Sequence, residues 1–259
     1  MIIGLVGAFG ALFAMVFIEH ASIMSLLLPG PILLVFGASI AVGFAGGTVA
    51  DSLKAFKAIP FALKGQRLDF AATIDKLIEL ADKARHKGLL SLEDETATIE
   101  DPFLKTALQG VADGADSEDL RVLLEDEIAT TSKSSRTSAK FFAALGGYAP
   151  TIGIIGTVVS LTHVLANLST PGTLGPLIAS AFVSTLWGLL SANFIWLPLG
   201  SRLNRLSDLG VEQMTIVMEG VLAIQAGTPS RALGERLKAM APVSAKAIAP
   251  VSAKQTVDA

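Results

Sequence analysis

Two uncharged stretches of this chain carry hydroxyls at helical spacing. In one, Pro150, Gly153, Thr157 and Ser160 follow each other at intervals of three and four; in the other, Ala181, Ser184, Gly188 and Ser191 do the same, with Thr185 and Ala192 each one position beyond a member of the series. On an α-helix such intervals line up one face. A face of this kind has two uses. Small residues let helices approach closely and buried hydroxyls bond across the contact, so the stripes serve plain packing. They also serve as the wall of a polar path beside a partner helix. That path would need a carboxylate, and neither stretch contains Asp, Glu, Lys or Arg. The partner would have to bring it. A carboxylate in the middle of a bilayer costs about 2.5 to 3.5 kcal/mol on insertion scales, and hydroxyl donors with water beside it lower that cost. His163 is the one titratable group in these stretches; its place toward the outer end of its run fits an interfacial role.

Other chemistries are absent. With no cysteine, thiol catalysis, disulfides and Cys-ligated metals are excluded. His20, His86 and His163 stand far apart and form no metal-ligand spacing. The net charge is −3, and no basic patch is interleaved with aromatics, so nothing points to a nucleic acid. No enzyme, cofactor or metal site is expected.

The elements that must position these residues are membrane spans. Charged residues make up 17% of the chain, against about 25% in an average soluble domain, and they are crowded outside four apolar blocks. The blocks cover about 1–18, 32–50, 145–168 and 174–199. A bilayer takes about 20 apolar residues, with a range of about 17 to 25. The chain opens Met1-Ile2-Ile3 without the basic n-region of a signal peptide. Of the 20 Lys and Arg, 13 lie between Asp51 and Lys140 and seven from Gly200 onward. None falls between the first and second blocks or between the third and fourth, so both termini and the middle segment are expected in the cytoplasm. The fold class expected is all-α: a polytopic membrane protein with four transmembrane helices and a helical cytoplasmic domain. Its parts are spans 1 and 2 within 1–50, a cytoplasmic domain at 51–144, spans 3 and 4 within 145–199, a cytoplasmic extension at 200–240 and a disordered tail at 241–259.

Inside the cytoplasmic parts, Leu68 to Lys87 reads as an amphipathic helix with Leu68, Ala71, Ile74, Leu77, Ile78 and Ala81 on one side, stopped by Gly88. Ser117 followed by Glu118 and Asp119 reads as a helix start. Beyond the fourth block a helical stripe continues from Leu203 to Leu222 and stops at Gly227, after which Thr228-Pro229 opens a short helix. The tail repeats APVSAK at 241–246 and 249–254 and is low in complexity.

Three stretches resemble one family. "YAPTIGIIGTVVSL" from Tyr148 to Leu161 is similar to a Pro-containing, Gly-rich segment of the MotA/PomA flagellar stator subunits. "ASAFVSTLWGLLSANFIWLPL" from Ala179 to Leu199 is similar to their Thr-Leu-Tyr-Gly…Ala-Asn…Leu-Pro signature. "ARHKGLLSLED" from Ala84 to Asp94 resembles their Arg…Gly-Leu-Leu-Ser-Leu-Glu motif. The layout of two spans, a cytoplasmic segment, two spans and a tail is also theirs, over roughly 1–240.

The resemblance implies a multi-pass subunit of the bacterial inner membrane, five copies of which ring two copies of a single-span partner of the MotB or PomB type. Protons or sodium ions passing an aspartate of that partner drive rotation, and cytoplasmic charges engage the rotor protein FliG. It implies roles for particular residues: Thr185 and Thr157 along the ion path, Ser184 beside them where many sodium-type relatives carry a second threonine, Pro150 and Pro198 in the conformational cycle, and Arg85 and Glu93 as rotor contacts. A solvated charged turn is the other reading of Arg85 and Glu93. Motor subunits of the ExbB/TolQ type, which energise other envelope processes, are the nearest alternative; they usually have three spans. MotA-related motors of anti-phage defence typically carry a very long tail. A secondary transporter would want intramembrane charge or inverted repeats, and neither is present; a purely structural membrane scaffold is the fourth reading.

Overall fold

The computed structural model describes residues 1–20, 22–65 and 68–242; the repeated tail lies almost wholly outside the described residues. All regular structure among them is helical, and the chain divides into two compact units. One combines 1–66 with 134–206, the other 67–133 with the residues from 207 onward.

The first unit begins with α1, Ile2–Ile18. A short 3-10 turn, Ile23–Leu26, leads to α2, Pro29–Ala45. Pro29 and Pro31 sit in its first turn, where a missing N–H costs nothing. Residues Leu33–Ala38 widen into a π segment. Gly46-Gly47 end α2, and Thr48 caps the next helix by accepting a hydrogen bond from the Asp51 N–H at 3.1 Å. That helix is α3, Val49–Lys57, followed after one residue by α4, Ile59–Lys64.

The second unit holds α5, Phe70–Lys87, a 3-10 turn, Leu89–Leu92, and the single-turn α6, Glu93–Thr96. α7, Pro102–Ala112, is capped by Asp101, whose carboxylate accepts from the N–H groups of Phe103 and Leu104. Two long helices then run through both units. α8 is Ser117–Ala166 and α9 is Pro171–Gln225. The helix start at Ser117 and the apolar block at 145 belong to one element because no Gly or Pro lies between them to break it. α9 carries a second π segment, Ser191–Trp196, and ends before Gly227, whose φ of +71° is natural only to glycine. α10, Ser230–Met240, closes the described chain.

Each unit has its own core. In the first, Val35, Phe142, Leu145, Trp196, Leu199 and Leu203 are buried together, with Phe36 at 6.1 Å and Phe142 at 6.2 Å from the Trp196 ring centre. In the second, Leu77, Leu80, Leu92, Leu108, Leu124, Val221 and Leu237 form the centre. Glu219 on α9 ties that unit together by pairing with Arg121 of α8 at 3.0 Å and with Arg236 of α10. α8 and α9 meet both length and composition for a membrane span, and α1 and α2 are shorter apolar helices. The outward-facing apolar side chains of the first unit, among them Ile3, Phe17, Ile155, Val159 and Phe182, form the kind of surface that lipid covers.

Candidate ion-path seam and charged hairpin

Within the first unit α8 and α9 touch through backbone. A Cβ added at Gly153 would lie 2.9 Å from the Ser184 carbonyl oxygen and 3.1 Å from the Gly188 Cα; one at Gly188 would lie 2.8 Å from the Ala149 carbonyl oxygen. Only glycine allows this approach. The crossing brings Thr157 and Thr185 together, with Oγ1 atoms 2.5 Å apart. Thr157 Oγ1 also lies 2.9 Å from the Ala181 carbonyl and 3.2 Å from the Gly153 carbonyl. A carbonyl only accepts, so the single proton of Thr157 goes to one of these and Thr185 donates across the pair. The lone pairs of the Thr185 oxygen are then left as acceptors, and its side chain is only partly buried. That is an oxygen able to face water or a cation.

Ser184 is placed differently. It is buried, donates to the Ser180 carbonyl at 3.0 Å, and its oxygen would lie 2.9 Å from a Cβ on Gly156. It fills the seam and does not share the Thr185 position. Ser160 continues the line, 3.5 Å from Ser180. Pro150 lies inside α8 and Pro198 two residues after the end of the π segment of α9. They loosen their helices at one level: Pro150 supplies no N–H to the Gly146 carbonyl, and a Cβ on Gly146 would lie 2.5 Å from Leu197 Cδ2, the residue before Pro198. The π segments went unread in the sequence, where Pro31 before the first and Pro198 after the second are the nearby signals. So did the hydrogen bond from Trp187 Nε1 to the Leu26 carbonyl at 2.7 Å, which fixes the turn before α2.

Arg85 and Glu93 lie in the second unit on a hairpin. Gly88, with φ of +82°, turns the chain after α5. Leu92 is fully buried, and Thr96 donates to the Glu93 carbonyl at 2.7 Å. Arg85 and Glu93 themselves are exposed, as is Leu90 at the turn. The clamp that holds the hairpin is Glu95, whose carboxylate is 19% exposed and accepts from Lys83 at 2.5 Å and Lys76 at 3.2 Å. Hydrogen bonds from Lys83 and Lys76 hold the Glu95 carboxyl below its ordinary range, with burial opposing them. Burial pulls the Lys76 ammonium down, but its hydrogen bonds to Glu79 and Glu95 outweigh this and raise it. Sequence reading missed Glu95 because its partners stand 12 and 19 residues earlier.

Since the Glu95 pKa is depressed on folding, the clamp stabilises above its unfolded value of about 4.5 and is lost as pH falls through the folded value. At neutral pH, Glu95→Gln should lower the stability of this unit by about 1 to 2 kcal/mol, between exposed and buried ion pairs. Where Arg85 and Glu93 serve as the rotor contacts that the family resemblance implies, it should also impair swimming without altering either charge. Circular dichroism melts and swimming assays read the two effects. Reversing the contact charges, Arg85→Glu with Glu93→Lys, should impair swimming at normal membrane levels and be partly rescued by reversed charges in the partner. The Glu95 variant should not be rescued that way. Normal swimming in the double reversal would remove both residues from the contact.

Comparison with known proteins identifies the family. Residues 95–216 match the profile of the MotA/TolQ/ExbB proton channel family. The chain is 34% identical over 201 residues to motility protein A of Treponema phagedenis, covering 78% of each. It is 32% identical over 237 residues to the chemotaxis protein PomA of Vibrio alginolyticus, covering 92% of each. The alignment with YtxD of Bacillus subtilis is shorter, 37% identical over 164 residues, and there the chain spans 60% of the relative's length. Among solved structures it resembles a chain of the flagellar MotAB stator complex from Bacillus subtilis, with a TM-score of 0.86, 27% identity and coverage of 95% of this chain and 97% of that one. These likenesses place the chain, with its small-residue seam and uncharged apolar runs, in the MotA/PomA family of flagellar stator subunits, within the MotA/TolQ/ExbB proton channel family.

Proposed function

We propose that this chain is the ring-forming stator subunit of a flagellar motor and that it gates an ion without binding it alone. In this reading α1, α2, the apolar part of α8 and that of α9 are four spans of a bacterial inner membrane, with both termini cytoplasmic. Copies of the chain, five by family resemblance, surround a single-span partner of the MotB or PomB type. The partner's aspartate carries the proton or sodium ion, and Arg85 and Glu93 pass torque to FliG. The observation that carries the proposal is the Thr157–Thr185 pair: a partly buried hydroxyl oxygen with free acceptor capacity, on helices whose apolar runs contain no carboxylate.

In such a site water accepted by the Thr185 oxygen donates to a partner carboxylate and gives it the polar surroundings that hydrocarbon denies it. Neutralising the carboxylate by ion binding removes that need, and the ring can then step. Pro150 and Pro198 supply helices that bend at one level and carbonyls without their usual N–H partners.

The test is conduction in membrane vesicles. The chain alone should pass neither protons nor sodium under an imposed gradient. The chain with a partner whose plug has been removed should pass one of them, and mutating the partner's aspartate should abolish the flow. Conduction by the chain alone would overturn the proposal.

A further inference from the structure

A groove runs along the first unit between α1 and α9. Its walls are Gly4, Leu5 and Ala8 on one side and Asn193, Phe194 and Pro198 on the other, and Arg202 lies among its lining residues, three residues past the last apolar block. The lining is almost wholly apolar. Asn193 and Arg202 are the exceptions, and the surroundings of Arg202 leave it without an anion. Its Nε is buried and donates to no acceptor among the described residues, and no ion pair among them includes it. Its guanidinium is nevertheless held in place. Gly65, with φ of +75°, brings backbone so near that a Cβ there would lie 2.9 Å from Nη2, so a larger residue at 65 would displace the guanidinium. From Phe194 to Arg202 the helix advances about 12 Å, a stretch of apolar wall with a positioned cation at its end.

We propose that this groove is a binding site for an anionic phospholipid of the cytoplasmic leaflet, with an acyl chain against Gly4, Ala8 and Phe194 and the phosphate on Arg202. The proposal rests on the membrane orientation given above, which puts Arg202 at the cytoplasmic boundary. A planar guanidinium matches phosphate oxygens two at a time, the cytoplasmic leaflet is the anionic one, and basic pockets between spans on that side recognise such headgroups. The guanidinium has no anionic partner among the described residues, and a phosphate in the groove supplies one. A protein segment seated in the groove would have to bring its own carboxylate to the same point. The lipid would also join α1 to α9 at the level where Pro198 lets α9 bend, so its occupancy would bear on the motion proposed for that helix.

The experiment uses the full chain co-purified with its single-span partner. Native mass spectrometry would follow retention of phosphatidylglycerol and phosphatidylcholine with identical acyl chains. The intact complex should retain phosphatidylglycerol about fivefold better. Arg202→Gln should bring the two lipids to parity, and Arg202→Lys should keep part of the preference. Gly4→Phe fills open space, since nothing lies within 4 Å of a Cβ there, and should reduce retention of both lipids while assembly, read by size-exclusion chromatography, is unchanged. Equal retention by the unmutated complex, or a preference unaffected by Arg202→Gln, would overturn the proposal. So would displacement of the lipid by glycerol phosphate alone, or cross-linking of a cysteine at Gly4 to another protein chain. The orientation is checked separately with an impermeant thiol reagent: cysteines at Ser25 and Thr170 should label from outside and one at Thr106 should not. A reversed pattern with intact lipid preference would refute the orientation and leave the site.

Discussion

Replacing Gly188 by valine should remove most of the protein from the membrane fraction, and replacing Gly153 should do the same. At both positions the atoms that a side chain would strike are backbone: the Ala149 carbonyl oxygen, the Ser184 carbonyl oxygen and the facing glycine Cα, all at 2.8 to 3.1 Å from the new Cβ. A neighbouring side chain can rotate away from such a clash. Two helices in backbone contact can only separate, and separation would pull apart the Thr157–Thr185 pair and the packing of Ala149 and Ala192. Overpacking a tight core costs about 1 to 3 kcal/mol and occasionally more; here the upper end applies, because no flexible group is available to yield. In a membrane no hydrophobic effect drives the helices back together, so close contact is itself the attraction. Gly147→Val is the control. It sits in the same helix one residue beyond Gly146, and nothing lies within 4 Å of its Cβ position, so it carries the same helix-propensity change without the clash. Gly220→Ala is an intermediate case, since its Cβ would meet the end of the flexible Leu77 side chain at 2.7 Å. Quantitative immunoblots of membranes should rank Gly147→Val near the unmutated level, Gly220→Ala between, and Gly188→Val and Gly153→Val lowest. Normal accumulation of Gly188→Val would mean that α8 and α9 do not cross there.

The faces of α8 and α9 were legible in the sequence because small and hydroxyl residues recur every three or four positions. Their pairing was not. Periodicity assigns Thr157 to one face of one helix and Thr185 to one face of another, but the vertical register between two helices depends on which glycines meet, and Gly153 has Gly147, Gly156 and Gly146 as competitors. The placement of Ser184 shows the same limit. One residue from Thr185 is a rotation of about 100°, enough to turn a hydroxyl from a partly open position into the seam against Gly156. The end of α2 is a case where count and chemistry differ. The uncharged run extends to Ala50, yet Gly46-Gly47 and the Thr48 cap on Asp51 end the helix at Ala45. The turn at Gly88 was readable from one glycine after an amphipathic run, whereas the Glu95 clamp depends on contacts across 12 and 19 residues that no local pattern encodes.

Thr185→Ala should abolish ion flow and swimming while leaving the complex assembled. The reason lies in how the hydroxyl pair divides its protons. Thr157 keeps the Ala181 carbonyl as its acceptor at 2.9 Å whether or not Thr185 is present, so loss of the Thr185 hydroxyl strands no buried donor. The cost to stability should stay within about 1 kcal/mol, the net worth of one ordinary hydrogen bond. Conduction is another matter. In the proposed path the Thr185 oxygen is the acceptor for the ion and for the water that donates to the partner's carboxylate, and removing it leaves a methyl group where polar solvation is needed. Thr185→Ser restores an oxygen at the same distance along the side chain and should retain a large part of both activities. Thr185→Val separates shape from chemistry: it preserves the branched outline against Thr157 and Ala181 but has no oxygen. If the hydroxyl conducts, valine should fail as alanine does; if the residue only packs, valine should perform at least as well as serine. The readouts are growth arrest on overproduction of a complex with the partner's plug deleted, proton or sodium uptake by vesicles, and swimming in soft agar, each normalised to complex recovered by affinity purification. Full activity of the alanine and valine variants at normal assembly would make the Thr157–Thr185 contact a packing bond and take the ion path away from this seam.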